Sequence, residues 1–426
     1  MAHIRWGLDR IESILAGLGN PHRSYRSLHI GGTNGKGSVA ASIEAILREA
    51  GHATGLYTSP HLVSFDERIR IAGEPVSVEW LETCAAEVLP LAEREGASFF
   101  EAATALAFLV FARAGVEVAV VEVGLGGRLD ATNVLRPEVS AITNVALDHA
   151  EYLGLTLREI AAEKAGILKG GVPAVLGPVS GEVLDVFRRR AAELKAPLHV
   201  LGEMAVSEKV EVSRTGTVFR YRSPARPGGL LLRTPLIGRH QATNAAIALL
   251  ALEGFEALPE AALANGLASV RWPGRVEVFD RPDGTWVLDV AHNVAGASAL
   301  ARTLGDIALP APKVALLAIL GDKAWKKMLV PLLSRVDAAV FTLAPSAPVE
   351  RLWDPGEARR AVPDRAVELV PDFDAALCRA RDLAGAGTVV VTGSCHTVGD
   401  ALTSLGPQRV EPVAGGVDVA RAAPYT

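Results

Sequence analysis

Eight residues, Gly31-Gly32-Thr33-Asn34-Gly35-Lys36-Gly37-Ser38, separate a strand signal at Leu28-His29-Ile30 from a helical run, Val39 to Ala50, that Gly51 closes. A glycine-rich turn between strand and helix leaves few architectures open. Glycines let backbone N–H groups converge on an anion, and the helix N-terminus adds positive potential. A lysine in the turn offsets charge on a β- or γ-phosphate. The chain has nine lysines in all, so one inside this turn is informative. Gly32, Thr33, Asn34, Gly35, Lys36, Gly37 and Ser38 are read as a phosphate cradle; the competing reading is a plain βα turn. The usual Gly-Lys-Ser/Thr order is broken, because Gly37 follows Lys36 and the hydroxyl comes at Ser38. In ordinary loops that hydroxyl ligates Mg²⁺. A replacement ligand is expected, and Ser59, in Tyr57-Thr58-Ser59-Pro60-His61, is the candidate.

The rest of the chain alternates strand and helix signals. Val116–Val123 is nearly continuous in valine, as a strand buried on both faces requires. Val139–Val145 follows it. Helical patterns cover Val78–Glu95, Glu101–Arg113, Leu157–Leu168 and Gln241–Leu252. Arg271-Trp272-Pro273-Gly274-Arg275 breaks the pattern and reads as a hinge. Alternation then restarts, with strand signals at Thr285–Val290, Val314–Leu320, Ala338–Leu343 and Thr388–Thr392. Such alternation implies parallel sheets covered by helices. At 426 residues the chain suits more than one core. We therefore expect two α/β domains, residues 1–272 and 273–426. Residues 196–238 alternate like antiparallel strands and are read as an appendage of the first domain. The tail from Pro407 to Thr426 shows little periodicity and is read as loosely held.

Composition removes several classes of function. Lys+Arg 43 against Asp+Glu 48 gives a net charge of -5. That argues against a nucleic-acid partner held by bulk charge and leaves room for a local basic pocket. No run reaches the roughly 18 apolar residues of a membrane span; Ala102–Ala112, interrupted by Thr104, reads as a buried helix. The start, MAHIRWGLDRIES, lacks the layout of a signal peptide. Cys84, Cys378 and Cys395 are scattered and form no Cys-x-x-Cys pair, so neither a disulfide framework nor a zinc site is expected. They are read as small buried residues in a reducing cytosol.

Glu122 ends the valine-rich strand, where a charge should sit at the C-terminal edge of a parallel sheet. Burying it without a partner is expensive, so a cation is expected there. Asp148-His149 follows the next strand in the same way. His149 beside Glu122 reads as a metal ligand, against a satisfied buried histidine. Lys164 lies on a helix of small and apolar residues, where a solvated lysine is the default. Gly393-Ser394-Cys395-His396 opens a helix after a buried strand. Ser394 there reads either as an anion contact or as a helix cap.

These segments together carry a family resemblance. GGTNGKGS, YTSPHLVSFDERI, VVEVGLGGRLDATN, TNVALDH, EKAGILK and GRHQATNAAIAL, continued by RWPGRVEVF, LDVAHNVAGA and VTGSCHTVG, resemble the folylpolyglutamate synthase and dihydrofolate synthase family. That family is a branch of the Mur-type ATP-dependent amide ligases. The resemblance implies a P-loop ATPase-like N-terminal domain with a parallel-rich sheet and a smaller Rossmann-like C-terminal domain, with ATP between them. It implies that Ser59 and Glu122 hold one Mg²⁺, and that Glu122 and His149 help with a second. It implies a carbamate on Lys164, and nucleotide contacts from Asn244, Arg275, Asp289 and His292. It places Ser98, Phe100 and Asp130 near a pterin and makes Ser59–Gly73 a mobile folate-side loop. The implied activity joins L-glutamate to dihydropteroate, to folates, or to both, through an acyl phosphate, in a cytoplasmic monomer without nucleic-acid or membrane partners.

Other readings stay open on the residues alone. Asp289, His292 and Asn293 could each cap the helix that starts near Val294, and Arg275 could be an interdomain salt bridge. A Mur-type ligase acting on a cell-wall precursor is the nearest rival, although the GKGS spacing and the TSPHL segment favour the folate branch. A dinucleotide oxidoreductase is weaker, because Gly124-Leu125-Gly126-Gly127 lacks the full GxGxxG spacing. A non-catalytic ATP-gated module is the third rival.

Overall fold

The valine-rich strand Val118–Glu122 shows why the first sheet is built as it is. Its alternate residues face opposite ways: Val118 and Val120 join a core with the helices Lys36–Glu49 and Arg239–Phe255, while Ala119 and Val121 join a core with Val78–Glu95 and Phe99–Arg113. Both faces are covered, so both sets are apolar. The strands are β1 (Arg26–Gly31), β2 (Thr54–Tyr57), β3 (Ile69–Ile71), β4 (Glu74–Pro75), β5 (Val118–Glu122), β6 (Val139–Ile142), β7 (Ala174–Leu176) and β8 (Leu198–Val200). They lie in the order β4-β3-β2-β5-β1-β6-β7-β8, parallel except at the β2–β3–β4 end. Central β1 sets Ile30 opposite Glu122 and Gly31 opposite Ile142. The glycine-rich turn, Glu122 and the segment after β6 therefore leave the sheet side by side.

The computed structural model describes residues 6–406. The tail from Pro407, expected to be loosely held, lies outside the described residues. Among the described residues there are two further sheets. Strands β9 (Val206–Ser213), β10 (Gly216–Ser223) and β11 (Arg226–Thr234) form an antiparallel meander. Its Phe219, Tyr221 and Leu232 pack into the core of helix Arg239–Phe255, the appendage expected from residues 196–238. The third sheet has the order β12-β13-β17-β14-β15-β16. Its strands are β12 (Glu277–Arg281), β13 (Gly284–Asp289), β14 (Lys313–Leu317), β15 (Ala338–Phe341), β16 (Val367–Leu369) and β17 (Thr388–Thr392), with only β12 antiparallel. Helices Val294–Asp306 and Trp325–Leu333 cover one face, and Phe373–Ala384 and Cys395–Leu405 the other.

No helix among the described residues is long and apolar enough to cross a membrane, and Ala102–Ala112 is part of a buried helix as expected. One expectation fails: Cys84 is buried and Cys395 partly so, but Cys378 is exposed. Its helix turns Phe373, Ala376, Leu377 and Ala380 inward and leaves position 378 on the outer side.

Candidate active site

The glycine-rich turn is fixed by the segment that follows β6. The Asn34 N–H donates to Asn144 Oδ1 (3.0 Å), and the Asn34 carbonyl accepts from Thr143 Oγ1 (2.7 Å) and Asn144 Nδ2 (2.8 Å). Thr33 Oγ1 accepts from the Ala146 N–H (3.0 Å). Gly35 adopts φ +83°, and a Cβ there would lie 2.6 Å from Asn244 Oδ1; no other residue type fits without strain. Lys36 then begins the helix. The odd spacing also has a physical reason. A Cβ on Gly37 would sit 2.8 Å from Trp272 Nε1, so the bare residue after Lys36 admits the hinge indole. Ser38 is pushed one place on and is buried in the first helical turn.

Positive and negative groups meet in front of this turn. Lys36 Nζ donates to the Thr33 carbonyl (3.2 Å) and lies 3.9 Å from Glu122 Oε1. The Ser59 N–H donates to Glu122 Oε2 (3.1 Å). Burial pushes the Glu122 carboxyl up, and Lys36, the Ser59 N–H and Arg275 only partly offset it. A buried carboxylate so incompletely compensated, beside a serine, fits a hard cation that takes oxygen ligands. Lys164, only 3% exposed, donates from Nζ to the Gly32 carbonyl (2.8 Å). Burial first, then the Lys36 charge, lowers its amine to about 7. The default of a solvated lysine does not hold for it.

The second lobe approaches from the opposite side. Asp289 ends β13 and accepts from the Val276 and Ala291 N–H groups (2.9 Å each). Burial lifts its carboxyl to about 6, against the pull of Arg275. Val276 is held at φ +49°, a costly conformation for a β-branched residue, and Asp289 pins the hinge together with Glu277, whose Oε2 accepts from the Gly274 N–H (2.9 Å). Arg275 Nη1 donates to the Pro273 and Gly274 carbonyls, and its charge reaches Glu122 and Asp289. Asn293 is the helix cap: its Oδ1 accepts from the Gly296 N–H (2.9 Å). Its Nδ2 donates to Asn34 Oδ1 (2.8 Å) and Asp148 Oδ2 (2.9 Å). His292 Nε2 stands 3.3 Å from Asp148 Oδ2. Lys323 Nζ donates to Asp148 Oδ1 (2.5 Å) and faces His149 Nε2 at 3.4 Å. Burial, then the Lys323 charge, lowers His149 to about 4, so it is a neutral imidazole.

Each lobe thus offers the C-terminal edge of its parallel sheet to the other, which is where ligands bind in open α/β folds. Residues 30–252 match the Mur ligase middle domain and residues 274–395 the Mur ligase glutamate ligase domain. A dihydrofolate synthase/folylpolyglutamate synthase of Bacillus subtilis (strain 168) is 37% identical over 338 residues, 76% of this chain and 78% of that protein. This chain belongs to the folylpolyglutamate synthase/dihydrofolate synthase family. Two solved structures of the family resemble it throughout. Mycobacterium tuberculosis folylpolyglutamate synthase complexed with ADP shares 36% identity at a TM-score of 0.87, covering 95% of this chain and 97% of that one. E. coli FolC in complex with DHPP and ADP shares 30% identity at 0.85, covering 95% and 94%.

Within this family frame the remaining candidates lie on other segments, and the Asp130 charge reaches Glu122 and Lys164. Ser98 caps helix Phe99–Arg113 in a capping box with Glu101. The Phe100 ring lies against Gly124 and 6.2 Å from the Tyr57 ring. Asp130 accepts from the Leu125 N–H (2.8 Å), the Thr132 N–H (3.0 Å) and Thr132 Oγ1, so it ties down the turn that follows Glu122. Ser394 Oγ accepts from the Thr397 N–H (3.0 Å), and Thr397 Oγ1 donates to the Ala318 carbonyl (2.6 Å). Ser394 must then donate to Thr397 Oγ1, and its hydroxyl is spent as a cap. Sequence analysis missed Lys323, Asn144, Trp272 and a ring cluster: Phe65 and Phe99, centroids 5.9 Å apart, with the Arg68 guanidinium over both. The position of Lys323 just beyond β14 was its one local signal.

Proposed function

We propose that this protein is a cytoplasmic, monomeric ligase that uses ATP to join L-glutamate to dihydropteroate and to the glutamate tail of folates. The observation that carries the reading is the pairing, across one cleft, of the Lys36–Glu122–Ser59 group with Arg275, Asp289 and Lys323. Both halves come from one chain, which supports a monomer, and three unpaired thiols suit a reducing compartment. The hinge at Pro273–Gly274 supports a domain boundary between residues 272 and 273.

A carboxylate is a poor electrophile, so amide formation needs activation. Transfer of the γ-phosphoryl group of ATP to the substrate carboxylate gives an acyl phosphate; the glutamate amine attacks its carbonyl carbon, and phosphate leaves. Lys36 and the N–H groups of the turn stabilise charge on the transferring group. Asn244 braces the turn at Gly35. Arg275, Asp289 and His292 close on the nucleotide from the second lobe, and closure excludes water that would hydrolyse the intermediate. Ser59 and Glu122, with His149 nearby, would hold the two Mg²⁺ ions, which supply charge neutralisation between phosphates and carboxylate. An amine lowered to about 7 is partly unprotonated at neutral pH, the form that takes up CO₂ as a carbamate, which supports that modification on Lys164. Ser98, Phe100 and Asp130 shape the pterin side, and Ser394 orders the second lobe at the glutamate end.

The test is glutamate incorporation with ATP and Mg²⁺, offering dihydropteroate and tetrahydrofolate separately. Lys36→Ala should lower turnover by about a thousandfold or more while the protein stays folded. Undiminished turnover would refute the assignment of the phosphate turn.

A further inference from the structure

We propose that Asp148 is a buried docking point between the two lobes at the cleft, and that Asp148 and Lys323 act as a positioning pair for the ligation. The inference rests on the reading of the protein as an acyl-phosphate ligase.

Asp148 belongs to the first lobe, on the segment after β6. From its own lobe its carboxylate accepts the His149 N–H (2.9 Å). Its other donors come from across the cleft, Lys323 Nζ at 2.5 Å and Asn293 Nδ2 at 2.9 Å, and His292 Nε2 stands 3.3 Å away. The Asp148 and Lys323 side chains are 6% and 7% exposed, so this is a buried ion pair with one charge contributed by each lobe. Separating the lobes returns both charges to water; seating them wrongly strands each without its partner, which is costly. The pair therefore favours one relative placement and penalises the neighbouring ones.

That placement is read against the phosphate turn. Asn293 uses one N–H for Asp148 and the other for Asn34 Oδ1, while its oxygen caps helix Val294–Asp306 and accepts from Asn34 Nδ2 (3.3 Å). Every polar valence of this amide is spent when Asn34, Asp148 and the helix are all in register. Asn34 in turn is held by Thr143 and Asn144, a few residues before Asp148. The turn, the segment after β6 and the second lobe form one closed circuit of hydrogen bonds. Neither Asp148 nor Asn293 needs to touch a reacting atom; their work is to bring Arg275 and Lys323 to one fixed distance from Lys36.

A ligase of this kind must keep water from the acyl phosphate. In a badly seated cleft, water replaces the amine: it adds to the acyl phosphate, the carboxylate is regenerated and inorganic phosphate leaves. Poor seating should therefore appear as wasted ATP and not only as slow turnover.

The variants are Asp148→Asn, which keeps shape and the neutral acceptor, and Lys323→Met, which keeps the aliphatic stem, singly and together in the full chain. ADP affinity is measured by calorimetry, glutamate incorporation by kcat and KM, phosphate released per amide formed, and lobe separation by solution scattering with ADP. Each single variant should lower kcat by about tenfold or more, with a smaller loss of ADP affinity, because only part of the nucleotide's contacts come from the second lobe. The ratio of phosphate to amide should rise above unity, the double variant should be no worse than the poorer single one, and the variants should scatter as a more open molecule. A ratio that stays at unity, losses that multiply in the double variant, or scattering curves that superimpose on the parent would each overturn the proposal. Should Asp148→Asn fail to fold, Lys323→Met decides alone. A parent protein that joins no glutamate would sink the ligase reading, while the scattering and ADP measurements would still decide the docking.

Discussion

Glu122 pays for its position in stability. Its carboxyl is raised by burial, so the folded state resists its ionisation, and stability is lost as pH climbs through the folded-state value. Glu122→Gln should therefore stabilise the fold by roughly 1 kcal/mol at neutral pH, read by thermal melting, while ligation falls by about a hundredfold or more. Lys164 has the opposite sign of shift. Its amine is lowered from 10.5 to about 7, so the burial cost is present in full below pH 7 and fades as pH rises toward 10.5. Lys164→Met should raise the melting temperature at pH 6 by an amount worth a few kcal/mol at most, roughly, and the gap should narrow by pH 9; a constant gap would refute the buried charge. Lys36, Glu122 and Ser59 were legible because each stands beside a strand end or a glycine turn within its own few residues. Asp148 was noticed only as the neighbour of His149, and Lys323 not at all. Their meaning lies in a partner 175 positions away, and no local pattern carries that.

Among the elements, β5 and β17 were legible because burial on both faces demands a continuous apolar run. The hairpin β3–β4, with three and two residues, and β7, β8 and β16, with three each, are too short to show a period. The helix at Lys36–Glu49 starts three residues before the apolar run that revealed it, because Lys36, Gly37 and Ser38 are helical yet serve the turn. Gly35→Ala tests that junction. It forces an L-residue to φ +83° against Asn244, and should cost about 1–2 kcal/mol. ADP affinity should drop by about tenfold or more, since the N–H groups of the turn would no longer converge; calorimetric titration measures it. Unchanged affinity would mean that the turn does not hold the phosphates.

At the scale of the whole molecule, the cores of the first sheet and those of the third are separate clusters. They are joined by one hinge, by polar contacts around Asp148 and Asn34, by the ion pairs Arg214–Asp280 and Arg239–Asp306, and by Leu62, Val212 and Ile237, which pack from the first lobe against the second lobe's cores. Two cores of this kind should unfold in two calorimetric steps. ADP at about a hundred times its dissociation constant should add about 2.7 kcal/mol and draw the steps together, because it binds the assembled cleft. Two steps that ignore ADP would place the nucleotide elsewhere. The two-lobed plan was readable from the broken alternation at residues 271–275; how the lobes face each other was not, because it depends on side chains that meet only after both have folded. The hinge tryptophan has a practical side. Its indole rests on the bare backbone of Gly37, at the mouth of the phosphate turn, with the Arg70 guanidinium 5.4 Å from its ring. A chromophore at that point should respond when a nucleotide arrives, and a change in emission that Trp272→Phe abolishes would set it apart from the other five tryptophans.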